Sequence, residues 1–150
     1  MSDLQTIQKR LHYSFKNAQL LQEAFIADGA TNSRHDIEGP PAGNKRLALV
    51  GDAVLRLSIF DDWFPSGDST ANGHELLQEV ATNDQLQHVA KNWHLQNWLT
   101  ENPSQAGQAQ KTTLASTVEA IIGAVWIDSD RNFPKVQEVI HQLNGRTNEG

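Results

Sequence analysis

Apolar residues recur every three or four positions along most of the chain, and no segment alternates apolar and polar residues as a strand would. The longest helical pattern runs from residue 44 to about residue 64, and a second runs from residue 111 to about residue 127. The apolar positions of the first are Leu47, Val50, Val54 and Leu57, and those of the second are Leu114, Val118, Ile121 and Val125. Together with shorter patterns, they predict an all-α domain of seven or eight helices.

Capping signals place several helix ends. Asn17 is a predicted N-cap, Thr82 with Gln85 forms a predicted capping box, and Pro134 suits the first turn of a terminal helix. Loops are predicted at residues 28–43, 65–73 and 102–107. No repeat or internal boundary is visible, so we expect one domain over residues 1–145 and a frayed tail over 146–150.

Composition narrows the class of partner. No apolar run approaches the ~20 residues of a membrane span, and the first residues lack a signal or transit pattern. We therefore expect no membrane partner and a cytoplasmic or nuclear location, with a mitochondrial one left open. The absence of cysteine excludes thiolate metal sites, and the six histidines show no paired ligand spacing. A net charge of −6 weakens the affinity expected for nucleic acid, because phosphate neutralisation drives that binding.

Each long helical pattern carries an isolated acid. In the first, Gly51 precedes Asp52, and a mid-helix glycine usually marks the close approach of another backbone. We place Asp52 opposite the core positions, near Lys45, Ala48 and Arg56. A solvated helix face is the alternative, because surface carboxylates are the rule.

The second pattern places Glu119 among small residues rather than the long polar residues of a solvated face. Those small residues are Ala115, Ser116, Ala120 and Gly123. Such a face suggests close packing against another helix, which could bring Asp52 and Glu119 together. Paired carboxylates are suitable ligands for Mg²⁺.

Four segments carry a resemblance to a known family. Residues 44–55 (NKRLALVGDAVL) resemble the ribonuclease III signature ERLEFLGDAVL, and residues 114–128 (LASTVEAIIGAVWID) look like its LADTFEAIIGAIYLD run. Residues 11–21 (LHYSFKNAQLL) and 80–86 (VATNDQL) are similar to the family's LGYxFKNxxLL and VSNxxLA elements. The four occur in the family's order over about residues 4 to 143.

The resemblance implies the helical endonuclease domain of that family, which forms a two-fold homodimer and cleaves double-stranded RNA with Mg²⁺. It also implies four acids, in pairs four and three residues apart, that hold metal ions to activate water. Asp52 and Glu119 match the second acid of each pair. Ala48 and Ser116 stand where the other two acids belong, and Lys45 replaces a further acid. We therefore expect Mg²⁺ to bind weakly or not at all.

The resemblance has further consequences for partners. Leu49 replaces the aromatic residue that packs across the family's dimer interface, so dimerisation is expected but weakened. Lys45 and Arg46 are candidate RNA contacts. Because the resemblance covers nearly all of the 150 residues, we expect no appended double-stranded-RNA-binding domain of the kind that many members have.

Three functions remain open from the sequence. The leading hypothesis is a catalytically impaired ribonuclease III-like homodimer, a pseudoenzyme that binds double-stranded RNA or serves in assembly. The alternative is an active Mg²⁺-dependent endoribonuclease in RNA processing with a reduced site. The third is a purely structural dimer in a ribonucleoprotein particle.

Overall fold

A computed structural model describes residues 3–28, 30, 39–100 and 110–145. Within these ranges the chain forms seven α-helices and two short 3₁₀ helices, and the all-α prediction is confirmed. The α-helices are α1 (Asp3–Leu11), α2 (Ala18–Ala24), α3 (Lys45–Trp63), α4 (Thr70–Ala81), α5 (Asn83–Asn92), α6 (Gln110–Asp128) and α7 (Phe133–Leu143). The 3₁₀ helices are Phe64–Ser66 and Leu95–Asn97. Backbone segments at Ile26 and Thr100 meet in an isolated parallel bridge.

Helix α6 is the centre of the domain. Its predicted core positions are all buried, and so are most of the residues on its small-residue side. A helix that is apolar or small on nearly every side belongs inside a protein. Its most extensive contact among the described helix pairs is with α3, and α5 packs on it next. The two segments with the strongest functional signal therefore lie against each other in the core.

Polar side chains begin several helices as predicted. The Asn17 side chain accepts a hydrogen bond from the backbone N–H of Gln19 (3.1 Å), and Thr82 accepts one from Gln85 (3.2 Å). Such caps satisfy backbone donors that the helix itself leaves free. Pro134 lies in the first turn of α7.

The predicted loop at residues 65–73 is wrong in its second half. Helix α4 begins at Thr70, and Ser69 caps it by accepting a hydrogen bond from the backbone N–H of Asn72 (3.1 Å). Gly73 is tolerated inside the helix because the indole of Trp63 packs directly on it, where a Cβ would lie 2.9 Å from the ring. Most of residues 28–43, all of 102–107 and the tail at 146–150 lie outside the described residues.

The predicted core side of α3 is confirmed at Leu47 and Val54 and wrong at its other two positions. Leu57 is 52% exposed and Val50 is only half-buried, whereas Ala48, expected beside Asp52 on the outer side, is buried at 8% exposure. The buried residues are Leu47, Ala48, Gly51, Val54, Leu55 and Ser58. At 100° per residue, this face is rotated by roughly 75° from the predicted one. The rotation follows from the glycine, because α6 crosses α3 at Gly51.

None of the described helices is both long enough and apolar enough to cross a membrane.

Candidate carboxylate site

Two glycines set the distance between α3 and α6. A Cβ added at Gly51 would collide with the carbonyl oxygen of Glu119, and one added at Gly123 would collide with the carbonyl oxygen of Leu47. The two backbones therefore touch at this crossing, and no residue with a side chain could replace either glycine without moving a helix. The close backbone approach predicted for Gly51 is confirmed.

Asn44 fixes the start of α3 on the same framework. Its buried side-chain amide donates hydrogen bonds to the carbonyl oxygen of Ala24 (2.9 Å) and to the hydroxyl of Thr117 (3.3 Å). Thr117 lies on α6 between Ser116 and Glu119 along the chain, so this contact sets the register of the two helices near the site.

Asp52 and Glu119 face each other across the crossing, and their carboxyl groups are hydrogen-bonded. Burial, the largest cause, raises the pKa of Glu119, and the hydrogen bond and negative charge of Asp52 raise it further, to about 8. Arg56 acts in the opposite direction. Two carboxyl groups in contact cannot both be ionised without strong repulsion, so Glu119 holds its proton more tightly than an isolated glutamate does.

Arg56 is the third member of the site. Its Nε lies 3.3 Å from each carboxylate oxygen of Asp52, one turn earlier on α3. The side chains of Asp52 and Arg56 are 39% and 53% exposed, so the pair lies on the solvent-facing side of the site. Glu119 is half-buried behind it. We refer to Asp52, Glu119 and Arg56 as the crossing site.

The two positions at which the family resemblance implies further acids, Ala48 and Ser116, flank the crossing site. Ala48 lies one turn before Asp52 on α3 and is buried, and Ser116 lies three residues before Glu119 and is half-buried. Neither supplies a carboxylate. Within the described ranges, no group of three or more His, Cys, Asp or Glu side chains could hold a metal ion. A divalent cation would find only two carboxyl groups here and would have to displace the arginine on Asp52, so the residues present do not fit Mg²⁺ well.

An apolar stripe follows the outer side of α3. The exposed large apolar side chains among the described residues are Leu49 (69%), Leu57 (52%) and Phe64 (76%). At 100° per residue they fall within roughly 80° of one another around the helix axis. We call these three residues the α3 stripe. Its last residue, Phe64, lies just beyond the end of the helix.

Comparison with known proteins decides the family. Residues 11–144 match the family described as ribonuclease-III-like.

The chain belongs to the ribonuclease-III-like family.

Relatives and solved structures agree with this assignment. Ribonuclease 3 of Shewanella baltica is 30% identical over 135 residues, which cover 87% of this chain and 56% of the relative. Ribonuclease 3 of Campylobacter curvus is 27% identical over 148 residues, or 95% of this chain and 62% of the relative. The chain thus spans about three fifths of the length of these curated relatives.

The fold itself matches that of a nuclease domain. Two structures of the nuclease domain of ribonuclease III from Campylobacter jejuni each superpose with a TM-score of 0.79. They are 21% and 20% identical in sequence and cover 94% and 100% of this chain. The described helices are therefore those of the family's nuclease domain.

The proposed RNA contacts of this ribonuclease-III-like domain differ in availability. Lys45 is exposed at the start of α3. Arg46 instead donates from Nε and one terminal nitrogen to the two carboxylate oxygens of Glu23, at 2.8 and 2.6 Å. The hydrogen bond and charge of Glu23 raise the pKa of Arg46. Its bidentate fork is thus committed to a buried acid, and its role as an RNA contact stays a prediction.

Asp128, at the end of α6, is a buried acid that sequence reasoning did not single out. One of its oxygens accepts from the hydroxyl of Tyr13 (2.6 Å) and the amide of Lys16 (2.9 Å), and the other accepts from the amide of Asn17 (2.8 Å). Burial alone would raise the pKa of Asp128, but these hydrogen bonds outweigh it and leave the pKa below its ordinary value. All four residues lie inside the family-like segments, which was the available signal.

Proposed function

We propose that this protein is a catalytically impaired ribonuclease III-like domain that acts as a dimeric component in double-stranded-RNA binding or assembly. The observation that carries the proposal is the crossing site. Only two of four acid positions hold carboxyl groups; those two are hydrogen-bonded to each other, and Asp52 is also paired with Arg56. We propose a cytoplasmic or nuclear location, with a mitochondrial one open.

Loss of two acids bears directly on the chemistry. Two-metal hydrolysis needs a dense carboxylate cluster that holds both cations, one to activate water and one to stabilise the leaving oxygen. If a cation binds here, Asp52 and Glu119 would be its protein ligands. Ala48 offers no ligand, and the neutral hydroxyl of Ser116 is a weak one. Efficient cleavage is therefore not expected.

The α3 stripe supports self-association. Exposed apolar side chains along one side of a helix are costly unless another surface covers them. The Campylobacter jejuni nuclease domain has a region involved in dimer formation, and by analogy we assign this stripe to a two-fold contact with a second copy. Leu49, the most exposed leucine, is placed near the two-fold axis.

Sedimentation equilibrium at micromolar concentration tests the dimer. We expect a dimer for the unaltered chain and a monomer for Leu49→Asp, because the substitution places a charge in an apolar contact. Gln22→Asp adds the same charge at an exposed position on α2 and should leave the dimer intact. A monomer in the unaltered chain, or a dimer in Leu49→Asp, contradicts the assignment.

Binding to double-stranded RNA is expected to be weak and salt-sensitive. The net charge of −6 opposes approach to phosphates, and Arg46 is already paired with Glu23. Affinity should therefore fall steeply between about 50 and 200 mM salt, as it does when a few phosphate contacts dominate. Fluorescence anisotropy with a labelled duplex measures it, and nanomolar binding that ignores salt would count against the proposal.

A cleavage assay separates the impaired domain from an active enzyme. Long double-stranded RNA is incubated with Mg²⁺ or Mn²⁺ and the unaltered chain, and with the double variant Ala48→Glu plus Ser116→Asp. We expect little or no cleavage by the unaltered chain and a gain in the double variant, since both acids act as one unit. If the unaltered chain cleaves the RNA and does so as fast as the double variant, the proposal of an impaired domain is refuted.

The second candidate is an active endoribonuclease with a reduced carboxylate site. The retained contact between Asp52 and Glu119 favours it. Cleavage by the unaltered chain that disappears in Asp52→Ala would establish it. The third candidate, a structural dimer in a ribonucleoprotein particle, is favoured by the exposed α3 stripe and predicts dimerisation without RNA binding.

A further inference from the structure

We infer that Arg56 is the internal cation of the crossing site and occupies, in the free protein, the oxygens of Asp52 that a metal ion would need. This inference deepens the proposed function and rests on it. It concerns what fills the site in place of a metal ion, whereas the proposed function concerns what the site does to RNA.

The guanidinium of Arg56 lies against the carboxylate of Asp52. Asp52 and Arg56 are four residues apart on α3, so they lie on the same side of the helix, one turn apart. The Nε of Arg56 is 3.3 Å from both oxygens of Asp52. Magnesium binds carboxylate oxygens at about 2.0–2.1 Å, so a cation on this carboxylate would have to move the guanidinium away.

The positive charge of Arg56 lowers the negative charge of the crossing site. The charge of Arg56 acts on Glu119 as well as on Asp52, so both acids of the crossing site are within its field. With both acids ionised the site would carry two negative charges and one positive charge, a net charge of −1. A hard divalent cation is held largely by local negative charge, and the arginine removes a large part of what two acids alone would supply.

The ion pair between Asp52 and Arg56 is partly exposed to solvent. An exposed ion pair of this spacing contributes little to folding, and side chains at 53% and 39% exposure are free to change partners. The ion pair therefore adds little to the free energy of unfolding. The location of Arg56 on Asp52, a partly exposed carboxylate, places the guanidinium where a cation arriving from solvent would bind.

The test measures Mn²⁺ binding to the full chain without RNA, by electron paramagnetic resonance of the free ion. Arg56→Gln removes the charge, Arg56→Lys keeps it, and Arg131→Gln removes a charge from an exposed arginine beyond the end of α6. Manganese is a suitable probe because it prefers the same oxygen ligands as Mg²⁺.

We expect Arg56→Gln to bind Mn²⁺ about tenfold more tightly than the unaltered chain, since one nearby positive charge is gone. Arg131→Gln should match the unaltered chain, and Arg56→Lys should stay close to it. The gain should vanish in Arg56→Gln combined with Asp52→Asn. Unchanged affinity in Arg56→Gln overturns the inference, as does an equal gain in Arg56→Lys or in Arg131→Gln.

Failure of this inference is distinguishable from failure of the proposed function. If the unaltered chain cleaves double-stranded RNA as fast as the Ala48→Glu plus Ser116→Asp variant, the proposal of an impaired domain is refuted, whatever the manganese titration shows. Tight Mn²⁺ binding that ignores Arg56, together with an absence of cleavage, would overturn the role of Arg56 and leave the impaired reading standing.

Discussion

Helix α6 carries two acids, Asp128 and Glu119, whose pKa values are shifted in opposite directions. Asp128 accepts three hydrogen bonds, from one hydroxyl and two amides, and its pKa lies below the ordinary value. Glu119, nine residues earlier on the same helix, is hydrogen-bonded to another acid, and its pKa is raised to about 8. One environment stabilises the ionised carboxylate, and the other opposes it.

The difference separates a structural acid from a candidate functional one. The hydrogen bonds of Asp128 connect the segment before α2 to the end of α6. Each of the three stabilises the ionised carboxylate. The contact with Asp52 disfavours the ionised form of Glu119, and strongly raised carboxyl pKa values are found mostly at functional sites. In this chain the unfavourable pair remains although two of its expected partners, at Ala48 and Ser116, are gone.

The largest expected effect comes from breaking the crossing that brings the pair together. Gly51→Ala places a methyl group in the carbonyl oxygen of Glu119, and neither backbone can yield without moving a helix. We expect a loss of about 3 kcal/mol or more in the free energy of unfolding, the upper end of overpacking effects. Urea denaturation followed by circular dichroism measures it.

Gly67→Ala is the matched control for that substitution. A Cβ at Gly67 meets no atom within 4 Å, but the residue has a φ of +71°. Only the backbone penalty applies, so we expect a loss of about 1 kcal/mol. Equal losses in the two variants would show that the crossing of α3 and α6 does not depend on the missing side chain at Gly51.

Much of the fold could be predicted from the sequence because helix signals are local. The two long helices begin and end within two residues of the predicted bounds, and the caps at Asn17 and Thr82 are where their side chains predicted them. Helix α4 was missed because Gly73 usually breaks a helix, and only the distant ring of Trp63 makes it favourable. That compensation is tertiary and leaves no local pattern.

The site could be predicted in part. Small residues around Glu119 correctly indicated a close helix contact, but apolar spacing misplaced the core side of α3. Periodicity cannot distinguish a leucine that faces the core from one on an exposed stripe, so Leu57 was assigned to the wrong side. Asp128 was missed because its partners, including Tyr13, lie more than a hundred residues away along the chain.

The next largest effect is expected from removing the carboxylate of Asp128, the structural acid of α6. Asp128→Asn removes a carboxylate that accepts three hydrogen bonds and leaves one oxygen in place of two. Hydrogen bonds to charged groups contribute about 1.5–3 kcal/mol, so we expect a loss in that range at pH 7. Tyr13→Phe, which removes a single donor, should cost about 1–1.5 kcal/mol.

The pH dependence of that loss has a definite sign. Because its pKa is lowered on folding, Asp128 contributes stability that is present above the unfolded value of 3.8 and is lost as pH falls through the folded value. The difference between the unaltered chain and Asp128→Asn should therefore shrink below about pH 4. A difference that stays constant down to pH 3 would mean that the asparagine fails for reasons of shape.

The smallest effect tests the opposite acid in the opposite pH range, in metal-free buffer. The pKa of Glu119 is about 8 in the folded chain and 4.5 without the fold, so between these values the folded state binds more protons than the unfolded one. Stability from this group is complete below pH 4.5 and is lost as pH rises through 8. Glu119→Gln keeps a neutral donor toward Asp52 and does not titrate, so its stability relative to the unaltered chain should rise across this range. We expect a rise of roughly 1–2 kcal/mol, after allowance for solvent screening of the partly exposed pair. Urea denaturation at pH 5, 6.5 and 8.5 measures it, with Asp128→Asn as the control whose difference should be flat over the same range. A flat difference for Glu119→Gln as well would mean that Asp52 and Glu119 do not share a proton, and the distinction between the two acids of α6 would fail.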